Sequence, residues 1–235
     1  LRKLRVPYKI SVLSGIAVVI IYSFMTGMGA SVVRAAIMLI FILLGKLINR
    51  DTNSISLLSF VALLMLIYNP AYINDVSFQL SFIATFGLLL STNIAIEYTK
   101  PLPVWLSGSI VVPIVAQVWV APIQMFYFNN VSLYSIFANI FTIPFLSVIS
   151  FGGFVSSVFA LIKPIATSVC FISDIILNPL LNILVWISEF FSNLPHSLLI
   201  TTHPSVIQVV CYYTILILGV FLLKTKFENK NIIKI

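Results

Sequence analysis

Apolar residues run along this chain in long blocks, separated by short clusters of proline, asparagine and charge. Eight blocks approach the ~20 apolar residues that carry a helix across a bilayer: residues 10–28, 31–48, 54–69, 76–96, 104–122, 132–162, 164–192 and 204–223. Breakers fall between or at the ends of blocks, among them Asn69-Pro70, Pro101, Pro103, Pro122 and Pro204. The pattern predicts an all-α fold, a polytopic transmembrane helix bundle of about eight spans. The sixth block is too long for one straight crossing, and Pro144 with Gly152-Gly153 divides it into halves too short to cross alone. It therefore reads as one broken, strongly tilted or re-entrant segment.

Two polar patterns interrupt the apolar blocks. Around the start of the fourth, Asp75 and Gln79 are four apart and share one helix face. Ser77, Ser81 and Thr85 repeat at four on a second face, and Phe78, Phe82 and Phe86 fill the strip between. Polar groups at membrane depth need partners or water, so these faces are expected to point into a bundle or an aqueous path. Arg34 lies about 4.5 Å inside the second span. It either snorkels to the interface or pairs with Asp75 across an outer vestibule. In the seventh block Thr167, Asp174, Asn178, Asn182, Glu189 and Asn193 fall within about 100° of one another at 100° per residue. That stripe reads either as the wall of a hydrated conduit or as a buried polar seam.

Composition fixes the solvent. With 60% hydrophobic and 8% charged residues, the chain cannot cover a water-exposed surface, so the lipid bilayer is its first partner. The net charge of +7 would suggest nucleic acid in a soluble domain, but its placement points to topology. With both termini in the cytoplasm, Arg2, Lys3, Arg5, Lys9, Lys46, Arg50, Lys100, Lys163, Lys224, Lys226, Lys230 and Lys234 all fall on the cytoplasmic side. Of the 13 basic residues only Arg34, within a span, is left over. The first residue is Leu1, and the basic stretch to Lys9 has no signal-peptide cleavage site. The chain is therefore expected to be one membrane-embedded domain, residues 1–235, of a longer protein.

Little points to catalysis, and the chain is expected not to be an enzyme. His196 and His203 are seven apart in one loop without the acidic and histidine cluster of a metal site, and no phosphate-cradling glycine loop is present. No cofactor or metal is expected. Cys170 and Cys211 lie in apolar runs and read as small buried hydrophobes.

Several of these residues carry a family resemblance. Thr26-Gly27, Ser31-Val32-Val33-Arg34-Ala35, Met38, Asn69-Pro70, Asp75, Ser77-Phe78-Gln79-Leu80-Ser81-Phe82, Ala84 and Gly87 resemble the membrane "competence" domain of ComEC proteins. Pro122, Phe128, Ser132, Asn139 and Ile143-Pro144 are similar to its looser later pattern. The resemblance implies a multi-pass channel of the bacterial cytoplasmic membrane that admits single-stranded DNA during natural transformation. It makes Arg34, Asp75, Ser77, Phe78, Gln79, Ser81 and Asn139 the vestibule candidates, with Phe78 or Phe82 offering stacking faces to bases. Implied partners are single-stranded DNA, an external DNA receptor, a cytosolic ATPase and further copies of the chain. The OB-like and metallo-β-lactamase-like domains of full-length relatives are not in these residues, and any nuclease activity belongs to the latter.

Two alternatives stay open: an ion-coupled small-solute transporter in which Asp174 exchanges a proton, and a structural membrane subunit without a conduit. A DNA path along the seventh-span stripe requires Asp174 and Glu189 to be protonated or paired, since phosphate would be repelled.

Overall fold

The computed structural model describes residues 7–99, 103–132, 134–161, 163–195, 197–200 and 203–232. Arg2, Lys3, Arg5, Lys100, Lys234 and His196, which entered the charge and loop readings above, lie outside them. The described residues form eight α-helices and one short two-stranded sheet. The elements are α1 (Tyr8–Met25), α2 (Ala30–Leu47), α3 (Ser54–Tyr68), a 3-10 turn (Pro70–Asn74), α4 (Val76–Tyr98), α5 (Val104–Phe128), β1 (Asn130–Ser132), α6 (Ser135–Ala160), α7 (Lys163–Ser192), β2 (Leu198–Ile200) and α8 (Val206–Ile232).

Seven of the helices are long and apolar enough to cross a membrane. The exception, α3, has 15 residues, about 22 Å at 1.5 Å per residue. One of its faces is enclosed: Leu57, Val61 and Met65, one turn apart, are buried, with Val61 fully inaccessible, while Phe60, Leu63 and Ile67 on the other side are exposed.

The chain divides into two compact units, residues 1–93 with 222–235, and residues 94–221. In the first, local chemistry fixes each helix end. Gly27 (φ +79°) and Met28 (φ +52°) turn α1 into α2, and the glycine makes the first of these steps without strain. α2 closes in a Schellman motif, with Asn49 left-handed (φ +54°), Arg50 N–H donating to the Gly45 carbonyl at 2.9 Å and Asn49 N–H to that of Lys46 at 3.4 Å. Asn53 then caps α3, its side-chain oxygen accepting from the amides of Ile55 and Ser56. The core gathers Ala30, Leu57, Val61, Met65 and Phe78, with Ile37, Phe41 and Phe82 packed against them.

In the second unit α5 presents a buried ridge at every fourth residue, Val111, Val115, Trp119 and Ile123. α6 and α7 form a helical hairpin with the most extensive packing in the chain. Here the structure corrects one expectation. Instead of a broken or re-entrant segment over 132–162, α6 is a single 26-residue helix with Pro144 inside it. A proline costs one rung of the ladder, which a long helix survives. Residues ahead of it become β1, which pairs antiparallel with β2, Asn130 opposite Ile200 and Ser132 opposite Leu198. The strands tie the α5–α6 connection to the α7–α8 connection, and the Tyr134 hydroxyl donates to the Pro195 carbonyl beside them at 3.3 Å.

Pro122 has the best-defined consequence. Lacking an N–H, it leaves the Val118 carbonyl, four residues back, without its helical donor. Tyr212 of α8 fills that vacancy, its hydroxyl donating to Val118 O at 3.0 Å. The adjacent Tyr213 donates to Trp119 O at 2.8 Å. α8 opens with its own capping box, in which Gln208 N–H donates to Ser205 Oγ and Gln208 Oε1 accepts from Ser205 N–H.

Candidate functional site

The first unit brings the entry of α4 against α2. Asp75 Oδ1 accepts the Phe78 amide at 3.0 Å, which makes Asp75 the N-cap of α4. Gln79 reaches back, its Nε2 donating to the Ile73 carbonyl at 2.7 Å and closing the 3-10 turn onto the helix. Arg34 goes elsewhere. Its Nη1 donates to the Ser81 carbonyl at 3.0 Å, and its Cζ stands 5.9 Å from the centroid of the Phe82 ring. Thr85 Oγ1 donates to the same Ser81 carbonyl at 2.9 Å.

The expected Arg34–Asp75 pair is therefore not formed. Ser81 lies six residues beyond Asp75, about 9 Å along the helix, and the Asp75 carboxylate is committed to capping. Arg34 Nε is buried without a hydrogen-bond partner, and no acid among the described residues neutralises the guanidinium. A partly buried cation with spare donors is suited to receive an anion such as phosphate. Phe78 is not available as a stacking platform, because it is 8% exposed. Its ring already stacks on Tyr72 at 6.1 Å and meets Phe82 at 4.3 Å. Ser77 is exposed, and Ser81 contributes its carbonyl.

In the second unit the seventh-span stripe is resolved face by face. Among the described side chains of α7, those not exposed are Val169, Ser173, Leu177, Leu180, Leu184, Ile187 and Phe191. Their spacing of four, four, three, four, three and four marks one seam. That seam packs on α6, where the position of a Cβ on Gly152 would fall 2.8 Å from Leu177 Cδ2 and Phe141 stacks on Phe191 at 6.1 Å. Thr167, Asp174, Asn178, Asn182, Glu189 and Asn193 are all exposed. At 100° per residue they centre about 150° from the seam. Pro179 does not spoil the division, and the α6 contact does not bury the polar row. Asn139, on α6, is exposed too, its carbonyl accepting from Thr142 Oγ1 at 3.4 Å.

A third polar feature was not singled out from the sequence. Gln117 Nε2 donates to Gln124 Oε1 at 3.2 Å within α5. Gln117 sits near the middle of this 25-residue helix, where a carboxamide is costly. The i, i+7 spacing, two turns on one face, is the signal that marks the pair. One other expectation fails in an instructive way. Cys170 and Cys211 are exposed instead of buried, because an apolar run looks the same whether it faces lipid or core. His203 sits edge-on to Phe126 at 4.6 Å. Among the described residues no three His, Cys, Asp or Glu side chains gather as a metal site would require.

A family model described as "Competence protein" matches residues 1–226. ComE operon protein 3 of Bacillus subtilis (strain 168) is 26% identical over 204 residues, which cover 84% of this chain and 25% of that protein. The chain thus spans about a quarter of the length of this curated relative. No solved structure matches it.

Proposed function

Because the chain belongs to the competence protein family, we propose that it forms part of a channel that carries single-stranded DNA across the bacterial cytoplasmic membrane during natural transformation. On this reading both termini are cytoplasmic, an external receptor delivers the strand, a cytosolic ATPase draws it in, and this domain is a path without catalytic chemistry of its own. The observation that carries the proposal is the α7 row. A polar face running the length of a membrane helix, turned away from its helical neighbour, needs water or polar partners beside it.

Arg34 supplies the complementary element, an uncompensated cation one turn inside α2. Asp174 and Glu189 repel phosphate by ~1 kcal/mol per close charge pair in water, and by more at lower dielectric. The strand therefore passes the neutral Asn178–Asn182 stretch with its phosphates away from the two carboxylates, or with cations held between. The same carboxylates are the observation that favours the second reading, an ion-coupled transporter of small solutes.

The test is uptake of labelled DNA by cells carrying Asn178→Leu together with Asn182→Leu. Nuclease-protected label falling at least tenfold, with normal membrane insertion, is the expected result. Unchanged uptake overturns the proposal. Proton-dependent solute transport by the reconstituted protein without DNA entry turns it toward the second reading.

A further inference from the structure

Between α5 and α8, beside the break at Pro122, lies a cavity of about 370 Å³ lined by Ala121, Pro122, Met125, Pro204, Gln208, Val209 and Tyr212. We propose that this cavity holds one acyl chain of a bilayer phospholipid, in the leaflet on the side of the β1–β2 sheet.

The chemistry of the lining selects the occupant. Its wall is apolar apart from two side chains, and those are largely spent. The Tyr212 hydroxyl donates to Val118 O, and Gln208 Oε1 accepts the Ser205 amide. A polar solute would lose its water and gain almost nothing in return. Of the polar side-chain atoms in this lining, Gln208 Nε2 has no hydrogen-bond partner among the described residues. It stands in the first turn of α8, near the membrane surface, at the depth of the ester carbonyls that join tail to headgroup. An acyl chain ending in an ester thus satisfies both the greasy wall and the one donor left over.

The volume falls in the ~300–1,000 Å³ range of small-molecule sites. The walls are also held in place. Pro122 fixes the local bend of α5, and the two tyrosine hydroxyls hold α8 to the carbonyls at that bend, so the cleft does not close by sliding the helices together.

The experiment is native mass spectrometry of the whole chain in detergent after extensive washing, with its bound lipids identified after release. One phospholipid per chain is expected to remain. Ala121→Phe and Val209→Phe, which fill the cavity from opposite helices, should each reduce that adduct at least tenfold while the helical circular dichroism is kept. Val155→Phe, which fills a separate cavity between α6 and α7, should leave it in place. Two substitutions from different helices guard against one of them misfolding. A washed wild-type chain with no lipid overturns the proposal, as does a lipid retained equally by both cavity-filled variants. A dimer that the same fillings dissolve overturns it too, since the occupant would then be a second copy.

Discussion

Replacing Arg34 with methionine separates structural from functional reasons for a charge inside the membrane. The side chain contributes a charge-assisted hydrogen bond to Ser81 O, worth ~1.5–3 kcal/mol, and a contact with the Phe82 ring, worth ~0.5–2 kcal/mol. Against these stands the buried Nε with no partner, a cost of ~1–3 kcal/mol that methionine removes. Ser81 O is not orphaned by the change, because Thr85 Oγ1 still donates to it. The balance is a loss of about 1–2 kcal/mol. Unfolding of the purified protein measures this directly, and labelled-DNA uptake by cells carrying Arg34→Met measures the other half. The account predicts a protein that inserts and folds, only slightly weakened, with uptake down at least tenfold. A loss of 4 kcal/mol or more would make Arg34 a structural residue. Wild-type uptake with normal insertion would remove it from the path.

Two further outcomes follow from hydrogen bonds in the fold. Tyr212→Phe should cost about 1 kcal/mol by leaving the Val118 carbonyl unpaired. That cost should shrink when Pro122→Ala restores the helical donor, so a double-mutant cycle should show positive coupling and its absence would refute the latch. Asp75→Ala should cost ~1 kcal/mol as a lost helix cap. It should leave the Arg34 contact intact, so that its effect and that of Arg34→Met add in the unfolding assay.

The sequence carried most of the helical plan, because in lipid the backbone must satisfy itself and long apolar blocks leave few choices. The order of the helices and the polar row of α7 were legible for that reason, since a charge or amide stands out against an apolar background. What failed was pairing. Opposite sign suggests pairing Asp75 with Arg34, but a carboxylate directly ahead of a helix is claimed first by that helix's own free amides, as Phe78 N–H shows. An aromatic ring such as Phe78 suggests stacking on bases, though its neighbours in space are Tyr72 and Phe82. The Tyr212–Val118 bond spans 94 residues and has no local signature, although Pro122 announces that some donor must be supplied. The capping box of Ser205 and Gln208 was readable and shows why α8 begins where it does.

The central claim is that the polar row of α7 meets water inside the membrane. Its most direct test is thiol labelling in membranes, after Cys170 and Cys211 have been replaced. Cysteines placed by Asn178→Cys and Asn182→Cys should react with a membrane-impermeant, water-soluble reagent, while Leu177→Cys and Leu184→Cys, on the α6 seam, should not. Unreactive thiols at 178 and 182 in a correctly inserted protein, or equal labelling of row and seam, would contradict the account.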